Sequence, residues 1–146
     1  MEYEVVTLQE KILVGVSATT GNSDPKMGAV IGELWRKLYQ DGISGEIQNK
    51  ANAYAIGLYS DYQGEQYCVT VGHEVTKAEN ENLTTKVIPA GKYAKFFIHG
   101  DMQKAVADAW GTIWQMNLER SYAADFEEYL NCVDGEADIN LYIALR

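Results

Sequence analysis

Glu127 and Tyr129 stand two residues apart, and a further tyrosine, Tyr142, follows in the next apolar segment. If both segments are strands, side chains alternate between faces. In the last strand Ile139, Leu141, Ile143 and Leu145 share the face that must cover helices, and Asn140, Tyr142 and Ala144 share the other. Pairing Phe126 and Leu130 with the aliphatic face sends Glu127 and Tyr129 to the side of Tyr142. An earlier segment places Tyr59 opposite Ile56 and Leu58, with Ala55 and Gly57 beside it as small residues. One sheet face is therefore expected to gather Glu127, Tyr59, Tyr129 and Tyr142 around an open space. A carboxylate ringed by tyrosines suits a cation. The carboxylate supplies the charge, and each ring adds cation–π attraction of about 0.5–2 kcal/mol. The alternative is an ordinary solvated face of an antiparallel sheet, which often carries Tyr, Glu and Asn without any site.

Other chemistry finds less support. Asp125 falls on the Glu127 face, but at a strand start, where exposure and a place in the site are equally expected. His73 and His99 are isolated and read as solvated histidines at strand ends. Cys68 and Cys132 match no metal-ligand spacing and read as reduced thiols. No nucleophile motif or phosphate-binding loop is present, so no cofactor is expected.

Composition narrows the function class. The 146 residues fit one domain with one core, and 47% of them are hydrophobic. The formal net charge of −9 argues against a nucleic-acid partner, which demands Lys and Arg against phosphate. No run approaches the ~20 apolar residues of a membrane span. The acidic start Met1-Glu2-Tyr3-Glu4 lacks a signal-peptide pattern, so a cytoplasmic location is expected. Ten tyrosines and three tryptophans suit a ligand site or an interface, because each carries an apolar body and a polar handle.

The elements that must position these residues follow from periodicity. Residues 3–7 and 11–18 read as strands with a break. Asn22-Ser23-Asp24-Pro25 reads as a helix start, and Met27, Val30, Ile31, Leu34, Trp35 and Leu38 form a helical stripe to about Tyr39. Residues 42–52 read as loop. Tyr54–Asp61 and Gln66–Val75 read as a hairpin about Gln63-Gly64. A polar linker, Lys77–Thr85, precedes a long strand from Lys86 to His99, interrupted at Pro89-Ala90-Gly91. A second helix opens at Gly100-Asp101 with Val106, Ala109, Trp110, Ile113 and Trp114 on one stripe. Asp125–Leu130 reads as a short strand and Ala137–Leu145 as the last. The order strand, helix, strand, strand occurs twice, over about 1–76 and about 86–146. The expected fold is α+β with pseudo-twofold symmetry: an antiparallel sheet, helices on one face, and a ligand cleft between the halves. Trp35 and Trp114 are expected in the core. Trp110 is as well suited to the core as to a cleft wall.

Several segments follow one another as in a known family: Tyr3–Val6, Ile31-x-x-Leu34-Trp35, Ile56-Gly57-Leu58-Tyr59 and Val71-Gly72-x-Glu74-Val75. Ile88-Pro89-Ala90-Gly91-Lys92-Tyr93-Ala94, Trp110, Phe126-Glu127-x-Tyr129 and Ile139-x-Leu141-Tyr142-Ile143 continue the series. Together they resemble the GyrI-like small-molecule-binding domain, also called the AraC-type effector-binding domain, from about Tyr3 to Leu145. The resemblance implies a single ligand-binding domain with a cleft for lipophilic, often cationic aromatics. It assigns the charge-neutralising glutamate to Glu127, an aromatic lining position to Tyr142 and a cleft wall to Trp110. Phe97 and Trp114 are further wall candidates.

Regulatory members carry an N-terminal DNA-binding helix-turn-helix. This chain begins at its first strand without a basic segment, so the expectation is a module that does not contact nucleic acid directly. Two other readings stay open. Some members resemble hydrolases of electrophilic compounds, with Glu127 as general base and Tyr129 or Tyr142 as proton donor. Others bind a protein such as DNA gyrase, and an acidic surface including Glu79, Glu81, Glu119, Asp134 and Glu136 could serve such a partner. A regulatory protein partner or a homodimer is compatible with either.

Overall fold

Alternating apolar residues produce the strands, and apolar stripes of helical period produce the long helices. The computed structural model describes residues 2–78, 80 and 82–146. The elements are β1 (Glu4–Leu8), β2 (Lys11–Gly21), α1 (Met27–Tyr39), α2 (Ile43–Glu46), β3 (Ala55–Gln63) and β4 (Gln66–Val75). After them come β5 (Thr84–Ile88), β6 (Gly91–Asp101), α3 (Lys104–Gln115), β7 (Arg120–Val133) and β8 (Glu136–Leu145). Glu79 and Glu81, two of the acidic surface positions, lie outside the described residues.

Among the described residues, one antiparallel sheet holds eight strands in the order β1-β6-β8-β7-β3-β4-β2-β5. Read outward from its centre, β3-β4-β2 on one side matches β7-β8-β6 on the other. The two strand-helix-strand-strand units are thus related by an axis through the β3–β7 pair. The outermost strands exchange sides: β1 leads into β2 but pairs with β6, while β5 leads toward β6 but pairs with β2. Each half is therefore completed by a strand from the other half's leader.

Turn chemistry sets the hairpins. Gly64 takes φ +61° at the start of the two-residue β3–β4 loop, a conformation glycine adopts without a Cβ penalty. Asp134 and Gly135 take φ +53° and +80° between β7 and β8, the pattern of a type I′ turn. Before α1, Asp24 accepts the Lys26 N–H at 2.8 Å.

The sheet buries apolar residues on both faces. On the helix side, Leu34 and Leu38 of α1 pack with Val14, Val69 and Val71 of β2 and β4. Ala109 and Ile113 of α3 pack with Phe96, Ile98, Ile139, Leu141 and Ile143 of β6 and β8. On the other side, Leu58, Tyr93, Phe126 and Tyr142 join a third cluster. The helices thus cover the strands flanking the centre and leave the helix-side face of β3–β7 between them. No helix among the described residues is long and apolar enough to cross a membrane.

Three elements differ from the periodicity reading. The segment Lys86–His99, read as one interrupted strand, is two strands in opposite halves of the sheet, β5 against β2 and β6 between β1 and β8. A four-residue helix, α2, lies within the segment read as loop, too short to register as a periodic stripe. β7 runs fourteen residues where a short strand, Asp125–Leu130, was expected: Arg120–Ala124 pairs irregularly with β8 before Asp125 restores the ladder, and Asn131–Val133 continues the pairing past Leu130.

Candidate functional site

The centre of the sheet sets the geometry. Gly57 of β3 pairs directly with Glu127 of β7, with Ala55 opposite Tyr129 and Tyr59 opposite Asp125. The two strands carry matching sequences about this pair, Gly57-x-Tyr59 and Glu127-x-Tyr129. One carboxylate therefore sits beside the pseudo-twofold axis, at a position whose symmetry mate is glycine, and receives a tyrosine from each half.

Glu127 is buried, with 2% of its surface exposed. Tyr59 donates its hydroxyl to Oε2 at 2.9 Å, and the Trp110 indole Nε1–H donates to the same oxygen at 2.7 Å. Tyr129 donates its hydroxyl to Oε1 at 2.6 Å. Among the described residues no lysine, arginine or histidine forms an ion pair with this carboxylate. Burial pushes its pKa above the ordinary carboxylate value, and the hydrogen bonds from Tyr129, Trp110 and Tyr59 oppose that rise. Burial and the adjacent Glu127 charge hold the Tyr59 and Tyr129 hydroxyls well above their usual range, so both remain donors.

Above the carboxylate lies a cavity of about 1310 Å³ between α1 and α3. Its walls are aromatic. Tyr59 and Trp110 meet edge to face with centroids 5.5 Å apart, and Trp35 and Tyr129 do so at 5.1 Å. Trp35 and Trp110 come from α1 and α3, the matching helices of the two halves. Gly57 lets these walls close in: a Cβ there would stand 3.3 Å from Trp35 Cζ2 and 3.5 Å from Glu127 Oε1.

The cavity gathers Glu127, Tyr59, Tyr129, Trp110 and Trp114 among the residues singled out by sequence. It does not gather Tyr142 or Phe97. Tyr142 pairs with Phe126 and stacks on it at 4.6 Å, on the sheet face away from the helices. The correction follows from register. Glu127 is opposite Leu141, so the glutamate shares the aliphatic, helix-covered face of β8, and Phe126 lies on the other. Apolarity did not distinguish the faces because both are buried. Phe97 is 61% exposed and lines a shallow groove with Tyr3 and Asn140, remote from Glu127.

Other placements also differ from the sequence reading. Trp35 is half-buried and lines the cavity, and Trp114 is exposed at its rim, where a core position was expected for both. Asp125 is fully buried: it pairs with Arg120 at 2.6 Å and accepts the Tyr62 hydroxyl at 2.6 Å. His73 is buried, and its ring bridges the Tyr54 carbonyl at 2.8 Å and Ser44 Oγ at 2.7 Å. Burial lowers its pKa, so it is a neutral structural histidine. His99, by contrast, is exposed beside Asp138, in line with the sequence reading. Sequence reasoning passed over Tyr39, Tyr67, Arg120 and Tyr122, which also line the cavity. Tyr67 was reachable by alternation along β4, whereas Arg120 is aimed by an irregular stretch that no period reveals.

The model of the GyrI-like small-molecule-binding domain matches residues 1–146. A comparison with curated proteins finds no match. Among solved structures, the chain is similar to an integron cassette protein from the mobile metagenome of Vibrio cholerae. That likeness has a TM-score of 0.80 at 24% identity and covers 99% of this chain and 95% of that one. It is also similar to SAV2435 bound to tetraphenylphosphonium, with a TM-score of 0.83 at 20% identity, covering 100% and 94%. The EcmrR C-terminal domain matches with a TM-score of 0.53 at 15% identity over the full length of both chains. With its whole length matched and its fold shared with these proteins, the chain belongs to the GyrI-like small-molecule-binding domain family.

Proposed function

We propose that this domain binds lipophilic aromatic monocations in the cavity between α1 and α3, with Glu127 as the charge anchor and Tyr59, Tyr129 and Trp110 as its nearest walls. One observation carries the reading: a buried carboxylate without a cationic partner among the described residues lies at the floor of a large aromatic cavity. An unpaired buried charge is costly, and a bound cation removes that cost. Three donors already occupy the carboxylate, which favours its charged form against the opposing effect of burial but leaves little room for hydrogen bonding to a ligand. A delocalised cation needs no such bond, since charge and ring faces attract it through space. The tetraphenylphosphonium held by SAV2435 is a cation of this class.

The same three hydrogen bonds weigh against Glu127 as a general base. They occupy three of the about four acceptor sites of the carboxylate and so reduce its capacity to take a proton from water. A binding role is therefore favoured over a hydrolytic one.

Calorimetric titration of the wild type and Glu127→Gln with tetraphenylphosphonium, beside a neutral triarylmethane of similar size, tests the reading. Saturable binding of the cation, weakened at least tenfold in the variant while the neutral probe changes little, is the expected result. Equal cation affinity in both proteins would overturn it.

A further inference from the structure

Arg120 opens β7 at the wall of the same cavity, with only 12% of its side chain exposed. A guanidinium carries five N–H donors. Among the described residues, the Arg120 side chain makes one hydrogen bond, from Nη2 to Asp125 Oδ2 at 2.6 Å. Its Nε is enclosed and has no partner among the described residues. Leaving such donors unmade is costly in an enclosed site, more so for a charged group. Besides Asp125, ring faces stand against it: the guanidinium carbon lies 4.3 Å from the Tyr122 centroid and 5.9 Å from that of Trp110.

The backbone holds this arrangement at a cost. Arg120 pairs with Leu145 and Asp125 with Ile143, so four residues of β7 stand against one of β8. Within that bulge Tyr122 takes φ +59°, an uncommon conformation for a bulky residue. Bulges of this kind re-aim side chains beside functional sites. Here the bulge directs Arg120 to the cavity wall and lays Tyr122 across it. Trp110 links the two ends of the site, donating to Glu127 while its ring faces Arg120.

We infer that Arg120 is a second, specificity-determining subsite, which selects among aromatic monocations those carrying a neutral hydrogen-bond acceptor such as an ester or carbonyl oxygen. The Asp125 partner cancels the Arg120 charge, so the subsite recruits an acceptor and not an anion. With that pair neutral, Glu127 supplies the buried negative charge of the site, and Glu65 is an exposed residue of its lining. This inference rests on the cation-binding reading and adds a polar contact remote from the anchor.

Matched probes separate the two. Benzyl-, methyl- and propyltriphenylphosphonium would be titrated beside derivatives bearing a terminal methyl ester, against the wild type and Arg120→Leu/Asp125→Asn. The double variant removes a neutral pair and leaves the net charge unchanged. The expected result is that at least one ester binds the wild type about tenfold tighter than its parent, and that the ratio falls to within twofold in the variant. Arg120→Lys, which keeps the ion pair with fewer donors, should reduce the ratio at least threefold and serves if the double variant does not fold. Ester and parent binding equally to the wild type would overturn the subsite while leaving the Glu127 reading intact, as would a ratio preserved in the folded variants. Failure of every phosphonium to bind the wild type would overturn both.

Discussion

Gly57 faces Glu127 across the central strand pair, and a Cβ on Gly57 would lie 3.5 Å from Glu127 Oε1. The anchor and its glycine mate thus form a matched pair in which one side supplies charge and the other supplies room. Gly57→Val is expected to push Trp35 and Glu127 away from their present contacts. The cost of such overpacking is about 1–3 kcal/mol of stability. Affinity for tetraphenylphosphonium should fall about tenfold, as checked by chemical denaturation and titration.

Glu127→Gln has a signed pH signature. In the wild type the folded pKa lies above the ordinary value of 4.5, because burial disfavours the charged form. The folded state then holds its proton where the unfolded state has lost it, and stability falls as pH rises from about 4.5 through the raised pKa. The glutamine variant lacks this dependence. Its melting temperature relative to the wild type should therefore climb with pH across that window and level off above it.

Cation binding favours ionised Glu127 and lowers its pKa again. Affinity of the wild type for tetraphenylphosphonium should increase as pH rises through the raised pKa and then plateau, with proton release on binding in the lower part of the range. Titrations in buffers of different ionisation enthalpy measure that release. A pH-independent affinity with no proton release would be incompatible with a titrating anchor.

Trp110→Phe keeps a ring in the wall but removes the Nε1–H that Glu127 Oε2 accepts at 2.7 Å. Hydrogen bonds to charged groups are worth about 1.5–3 kcal/mol. Losing this one should raise the Glu127 pKa further, so the rise of cation affinity with pH should move to higher pH. A profile unchanged in position would show that the indole acts only as a wall.

Tyr142 offers a control on the opposite face. It is stacked on Phe126, and burial raises its hydroxyl pKa to about 12. Tyr142→Phe should leave cation affinity within twofold of the wild type. A tenfold loss would place Tyr142 in contact with the ligand space and contradict the register described for β7 and β8.

Much was settled by the sequence by itself. Period-two alternation marked the strands, the helical stripes marked α1 and α3, and their order repeated, because each pattern follows from the geometry of one element. The side of β3 that carries Ala55, Gly57 and Tyr59 was legible for the same reason, and Glu127 and Tyr129 necessarily share a face of β7. What joins those two faces is the pairing of β3 with β7, a contact between residues about seventy apart in the chain, which no local period encodes. The side on which Tyr142 falls was decided by tertiary structure alone. Both faces of the sheet are apolar, so hydrophobicity could not choose between them, and a register shift of one residue reverses every side chain. Arg120 likewise reaches the cavity through a bulge, where the alternation rule ceases to hold.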